Sequence, residues 1–143
     1  MATLSRLPKG FEIYFEFFAN SLPSGYRSML HFTTGGNCCN VGQKIPGIWT
    51  NDWGLQVVMA LNGIGNKFKN LSIQAKKWYG MTISQRINDE KIYEFQVFLD
   101  GTLVWNVLNK DAAQFENVSV FSSDPWYPAF DGLMRNVSVC YDT

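Results

Sequence analysis

No stretch of this chain approaches the roughly 20 consecutive apolar residues that cross a bilayer as a helix, so insertion into a membrane is not expected. The opening MATLSRLPKG likewise has no apolar segment of the kind that marks a secretory leader. The chain is therefore read as extracellular in mature form or by a non-standard route, with the cytosol as the other compartment consistent with it. Charge of one sign is missing too. Twelve basic residues balance 12 acidic ones without a Lys/Arg cluster, which argues against nucleic acid as a partner. There is one histidine, His31, and only three cysteines, Cys38, Cys39 and Cys140. An odd count with one adjacent pair matches neither a disulfide framework nor a zinc spacing. In an oxidising compartment Cys140 could bridge to one of the pair, but small, partly buried thiols are the plainer reading. Any sustained helical period is absent as well.

Aromatic residues, at 15% of the chain, are abundant, and period two dominates. GFEIYFEFFAN puts Phe11, Ile13, Phe15 and Phe17 on one face and Glu12 and Glu16 on the other, the pattern of a half-buried antiparallel strand. YRSMLHFTT, the two halves of GIWTNDWGLQVVMALNG on either side of Thr50–Asp52, and WYGMTISQR read as further strands. KIYEFQVFLDGTLVWNV is a hairpin turning at Asp100-Gly101, a pair that accepts positive φ. ENVSVFSS and GLMRNVSVCYD close the chain. Nine or more short strands without repeat or linker predict an all-β antiparallel sandwich, a jelly roll of two curved sheets. A single domain over 1–143 is long enough to bury roughly two-thirds of its unfolded surface.

The hairpin YEFQVFLDGTLVWNV, the strand FENVSVFSS and the Gly-led DGLMRNVSV resemble the concanavalin A-like jelly-roll superfamily of laminin G-like modules, pentraxins, lectins, galectins and glucanases. The likeness is most specific over 79–140. It implies a final strand that pairs near the N-terminus, and it leaves function open, since such folds carry binders and hydrolases. Glucanases of this kind need two carboxylates a few ångströms apart. Here Glu12 and Glu16 would sit about 13 Å apart on one strand face, so a solvated face is expected and no enzyme. NGIGN at 62–66 opens no helix and supports no phosphate cradle.

Binding remains. Sugars stack on Trp or Tyr rings while a few placed polar groups hold their hydroxyls. Two stretches offer that mixture: Trp49, Asn51, Asp52 and Trp53 in IWTNDW, and Asp124, Trp126 and Tyr127 in SDPWYP. His31 completes the candidate set. In galectins a His is followed by Asn-Pro-Arg, whereas here Thr33, Thr34 and Gly35 follow, so an outward His31 between inward Leu30 and Phe32 is expected rather than galectin-type galactose binding. FSSDPWYPAFDG, which holds the second stretch, is read first as a stiff corner before the last strand and second as a binding loop. Many relatives use calcium, and Asn51, Asp52, Asp124 and Asp131 are the oxygen donors available for it. Sequons stand at Asn70, Asn117 and Asn136, the last two inside expected strands. The sequence thus points to a non-catalytic lectin for extracellular or cell-surface glycans. A protein-binding or self-associating adhesion module, a homo-oligomer joined through sheet edges, is the alternative, with a glycoside hydrolase a distant third.

Overall fold

The computed structural model describes residues 1–141, and among them are eleven strands and no helix. Asp142 and Thr143, the end of the domain and of the last strand as read, lie outside the described residues. The strands are β1 (Ala2–Leu7), β2 (Phe11–Ala19), β3 (Arg27–Thr33), β4 (Gly47–Asn51), β5 (Gly54–Leu61), β6 (Ile64–Leu71), β7 (Trp78–Ile87), β8 (Tyr93–Leu99), β9 (Thr102–Asn109), β10 (Phe115–Phe121) and β11 (Gly132–Tyr141). They form a six-stranded front sheet, ordered β1-β10-β3-β4-β5-β6, and a five-stranded back sheet, ordered β11-β2-β7-β8-β9. The strand pairs within each sheet are antiparallel.

Alternation along β2 explains why the sheets close on each other. Phe11, Ile13, Phe15 and Phe17 are fully buried, and each side chain removed from water contributes about 1.5–3 kcal/mol. From the back sheet they join Tyr79, Met81, Ile83, Phe95 and Val97, and from the front sheet Phe32, Ile48, Leu55, Val57 and Met59. The β8–β9 hairpin turns where expected, at Asp100 (φ 49°) and Gly101 (φ 79°). Asp100 Oδ1 also accepts the Gly80 amide at 2.8 Å, tying the turn to β7. The last strand pairs with β2, as the family likeness implies.

Two strands were not legible in sequence, β1 and β6. Both are edges of the front sheet, and most of their side chains are exposed, so neither shows the alternation of a half-buried strand. Within β10 and β11, the sequon residues Asn117 and Asn136 adopt positive φ (52° and 55°), and a register shift in β11 spans Asn136.

The cysteines correct their reading as partly buried thiols. Cys38 and Cys39 are joined to each other in an exposed loop, and Cys140 is a free, exposed thiol on β11 rather than their partner. Pairing of β11 with β2 in the back sheet holds Cys140 opposite Glu12, away from that loop.

Candidate ligand-binding site

A β-bulge in β3 decides what faces outward on the front sheet. Ser28 pairs with Trp49 and Leu30 with Ile48, leaving Met29 as the extra residue. Met29 and Leu30 therefore both enter the core, and the next position, His31, returns to the outer face beside Trp49. Trp49 in turn lies opposite Gln56 on β5, and Gln56 opposite Asn70 on β6, where the Gln56 amide donates to Asn70 Oδ1 at 3.2 Å. Gly47 makes room for the Trp49 indole, which lies over it; a Cβ at Gly47 would fall inside the radii of Trp49 Cη2 and Cζ3.

The segment 122–131 then covers part of this face. Its backbone continues along β3: Ser28 N–H donates to Pro128 O at 2.8 Å, and Phe130 N–H donates to Ser28 O at 3.0 Å. Asp124, buried, organises the turn. Its Oδ1 accepts the amides of Trp126 (3.0 Å) and Tyr127 (2.9 Å), and its Oδ2 meets His31 Nδ1 at 3.0 Å. Ser28 Oγ accepts the Asp124 amide at 3.0 Å. On the other side of the imidazole, Nε2 donates to Gln43 O at 2.6 Å. His31 is thus outward with respect to the sheet, as expected, yet wholly buried, because this segment packs Trp126 against it at 5.6 Å.

What remains open is a cleft of about 190 Å³ lined by Tyr26, Lys44, Trp49, Gln56 and Tyr127. That is smaller than the 300–1,000 Å³ or so of drug-sized pockets and suits a single ring. Tyr26 and Tyr127 form its aromatic walls, with ring centroids 6.2 Å apart. The Trp49 ring sits 6.0 Å from Tyr127 and is only 2% exposed, so it serves as floor rather than as a stacking face. Its indole Nε1–H is buried and donates to nothing. Lys44 Nζ stands 5.4 Å above the Trp49 ring, and burial pulls its ammonium below the usual lysine value, with Asp124 acting in the opposite sense. Lys44 is held there by its neighbour Ile45, whose amide donates to Phe32 O at 2.9 Å.

The two candidate stretches therefore divide differently from their order in sequence. His31, Trp49, Asp124, Trp126 and Tyr127 form one cluster. Asn51, Asp52 and Trp53 lie at the β4–β5 turn, where Asn51 Oδ1 accepts the Trp53 amide at 2.9 Å, and they line a smaller neighbouring cleft with Gly25 and Tyr26. Trp53 is 73% exposed. Tyr26, Lys44 and Gln56 escaped the sequence reading. Gln56 alone left a signal: one amide in the apolar run LQVVMAL marks a side chain turned outward.

The acidic donors named for calcium do not gather into one group among the described residues. Both Asp124 oxygens are taken, Asp131 accepts Ser21 Oγ (2.5 Å) and Asn20 Nδ2 (3.3 Å), and Asn51 Oδ1 caps its own turn. Among the described residues no three His, Cys, Asp or Glu side chains gather to hold a metal ion.

Glu12 and Glu16 lie on the outer face of the back sheet, and Glu16 is more than a solvated position. It accepts from Tyr14 Oη (2.7 Å), Arg135 Nε (2.7 Å) and Asn136 Nδ2 (3.0 Å), while the Arg135 guanidinium stacks 3.8 Å from the Trp78 ring. The Tyr14 hydroxyl first, then Arg135 and Asn136, hold the Glu16 carboxyl at about 2, below its usual 4.5. A lowered value stabilises the folded state above the unfolded value, and that contribution disappears as pH falls through the folded one. The melting-temperature difference between wild type and Glu16→Gln should accordingly be constant above about pH 5 and close as pH approaches 2. A difference that does not change with pH would show that the network does not hold the ionised form.

No family model matches the chain, and no curated protein is similar to it by sequence. Solved structures are similar in backbone. A heptameric SAP-like pentraxin from Limulus polyphemus superposes with a TM-score of 0.64 at 13% identity, over 97% of this chain and 66% of that one. Human galectin-16 gives 0.61 at 13% identity, over 99% of this chain and 95% of its own. Domain 4 of the extracellular GH43 arabinanase AbnA from Geobacillus stearothermophilus, in complex with arabinotriose, gives 0.58 at 13% identity, over 94% and 64%. The fold is the concanavalin A-like jelly roll. At these identities the likeness concerns the backbone alone, and the chain spans under two thirds of the pentraxin and arabinanase-domain chains. In this jelly roll the cleft lies on the outer face of the front sheet, and the Pro-framed segment that carries Asp124, Trp126 and Tyr127 is one of its walls.

Proposed function

We propose that residues 1–143 form a single non-catalytic carbohydrate-binding module that takes one sugar ring of an extracellular or cell-surface glycan in the front-sheet cleft. The observation that carries this reading is the pairing of two tyrosine rings, Tyr26 and Tyr127, with the polar side chains of Lys44 and Gln56 in a space of monosaccharide size. Stacking faces beside a few polar groups are what a pyranose requires. The absence of chemistry is supported by the lining: none of the residues around the cleft is a carboxylate, and glycoside cleavage needs two. Glu16 faces away on the other sheet, bound to Arg135. The Cys38–Cys39 disulfide supports an oxidising compartment.

A glycan array probed with and without a chelator tests this. Binding is expected to at least one glycan and to be indifferent to the chelator. Tyr127→Ala should weaken it by about tenfold, equal to about 1.4 kcal/mol, with the melting temperature nearly unchanged. A folded, monodisperse protein that binds no glycan would overturn the reading in favour of the adhesion alternative. For that alternative the front-sheet edge β6 exposes Ile64 and Phe68, although Lys67 and Lys69, interleaved with Phe68, blunt the edge against pairing.

A further inference from the structure

The cleft is unusual in its balance of hydrogen-bonding groups. Lys44 is its only charged wall, and among the described residues no carboxylate lies within ion-pair distance of it. Asp124, behind it, already accepts the amides of Trp126 and Tyr127 and meets His31 Nδ1. Partial burial pulls the Lys44 ammonium below the usual lysine value, and Asp124 opposes that only in part. Beneath it the Trp49 Nε1–H is a second donor without an acceptor. Gln56 donates to Asn70 and its side-chain carbonyl has no partner among the described residues, so the opposite wall can accept from a sugar hydroxyl. Asp52 lines the neighbouring cleft with Trp53, not this one. A partly buried ammonium with no ion-pair partner among the described residues is matched by a ligand that supplies an anionic acceptor.

We infer that the preferred ligand is an acidic sugar, one whose ring carries a carboxylate or sulfate group, with Lys44 as the residue that selects it. This inference rests on the carbohydrate reading of the same cleft. It adds the charge of the ligand and a residue that sets specificity. A ring that lies against Tyr26 and Tyr127 can be neutral or acidic; the Lys44 ammonium distinguishes the two.

The test uses the intact chain on an array of matched pairs, each neutral glycan printed beside its uronic or sialic acid form and its sulfated form, followed by calorimetry on the best pair. Wild type is expected to bind the acidic member at least about tenfold more tightly than the neutral one. Lys44→Gln should erase that preference, lowering affinity for the acidic member at least about tenfold more than for the neutral one. Lys44→Arg, which keeps the charge should the glutamine variant fold poorly, should retain the preference. Raising the salt concentration should weaken acidic binding and leave neutral binding alone. Equal or tighter binding of the neutral member overturns the inference and leaves the carbohydrate reading standing, as does a Lys44→Gln variant that loses both members equally. Binding of no glycan at all overturns both.

Discussion

Replacing Asp124 with alanine should destabilise the protein by about 3–5 kcal/mol, the usual consequence of removing one partner of a buried, hydrogen-bonded pair. The side chain is 4% exposed overall as a residue and fully buried at its carboxylate. Three polar groups depend on it. The amides of Trp126 and Tyr127 would lose their acceptor, and His31 Nδ1 would face an empty, dry space. Each orphaned buried group costs about 1–3 kcal/mol unless water reaches it. Against a total stability of about 5–15 kcal/mol, the loss should be plain in chemical denaturation. Segment 122–131 should also become sensitive to limited proteolysis, because Asp124 ties its turn to the sheet. Asp124→Asn should cost less, since an amide oxygen can still accept from the two backbone amides. Loss of under 1 kcal/mol in the alanine variant would mean that the backbone pairing of Ser28 with Pro128 and Phe130 is enough to hold the segment.

Gly47→Ala should also destabilise the protein, by less and for a different reason. The glycine is buried under the Trp49 indole, so an added methyl group cannot coexist with the ring where it stands. The ring has little freedom to yield: His31 is packed against it at 5.2 Å, Tyr127 at 6.0 Å and Lys44 at 5.4 Å. Overpacking of this kind costs about 1–3 kcal/mol. Because Trp49 is the floor of the cleft, a displaced ring also spoils the site. Glycan affinity should fall by at least about tenfold, and near-UV circular dichroism should change with the new ring environment. A variant that melts within a degree or two of wild type and binds equally would show that the indole can rotate clear, and that the cleft does not depend on its position.

How far the sequence led depended on whether a feature was local. The alternation of β2 and the Asp100-Gly101 turn are each written in a few adjacent residues, and both stand where they were expected. Edge strands β1 and β6 were missed because few of their residues touch the core, so burial imposes no period on them. The candidate site was half legible. Aromatic residues near Pro, Asn and Asp drew attention to Trp49 and to Asp124–Tyr127, and the fold does bring these together. Tyr26, Lys44 and Gln56 come from a turn, a loop and a mid-strand position, and only the β3 bulge and the crossing of segment 122–131 place them around one space. Asn51, Asp52 and Trp53 went the other way: adjacent to Trp49 in sequence, they are carried past it by the end of β4 into a separate cleft. FSSDPWYPAFDG shows the same lesson. Its Asp124 is a structural hub and its Tyr127 a wall of the cleft, so the stiff corner also shapes the cleft.

The most direct test of the account is a two-dimensional ¹H–¹⁵N spectrum of the tryptophan indoles recorded while the best array glycan is added. The five tryptophans give one indole signal each. The signal of Trp49, whose ring forms the floor of the cleft, should shift with ligand, and those of Trp78 and Trp105, on the back sheet, should stay fixed. A titration that moves Trp78 and leaves Trp49 unchanged would place the ligand on the opposite face and contradict it.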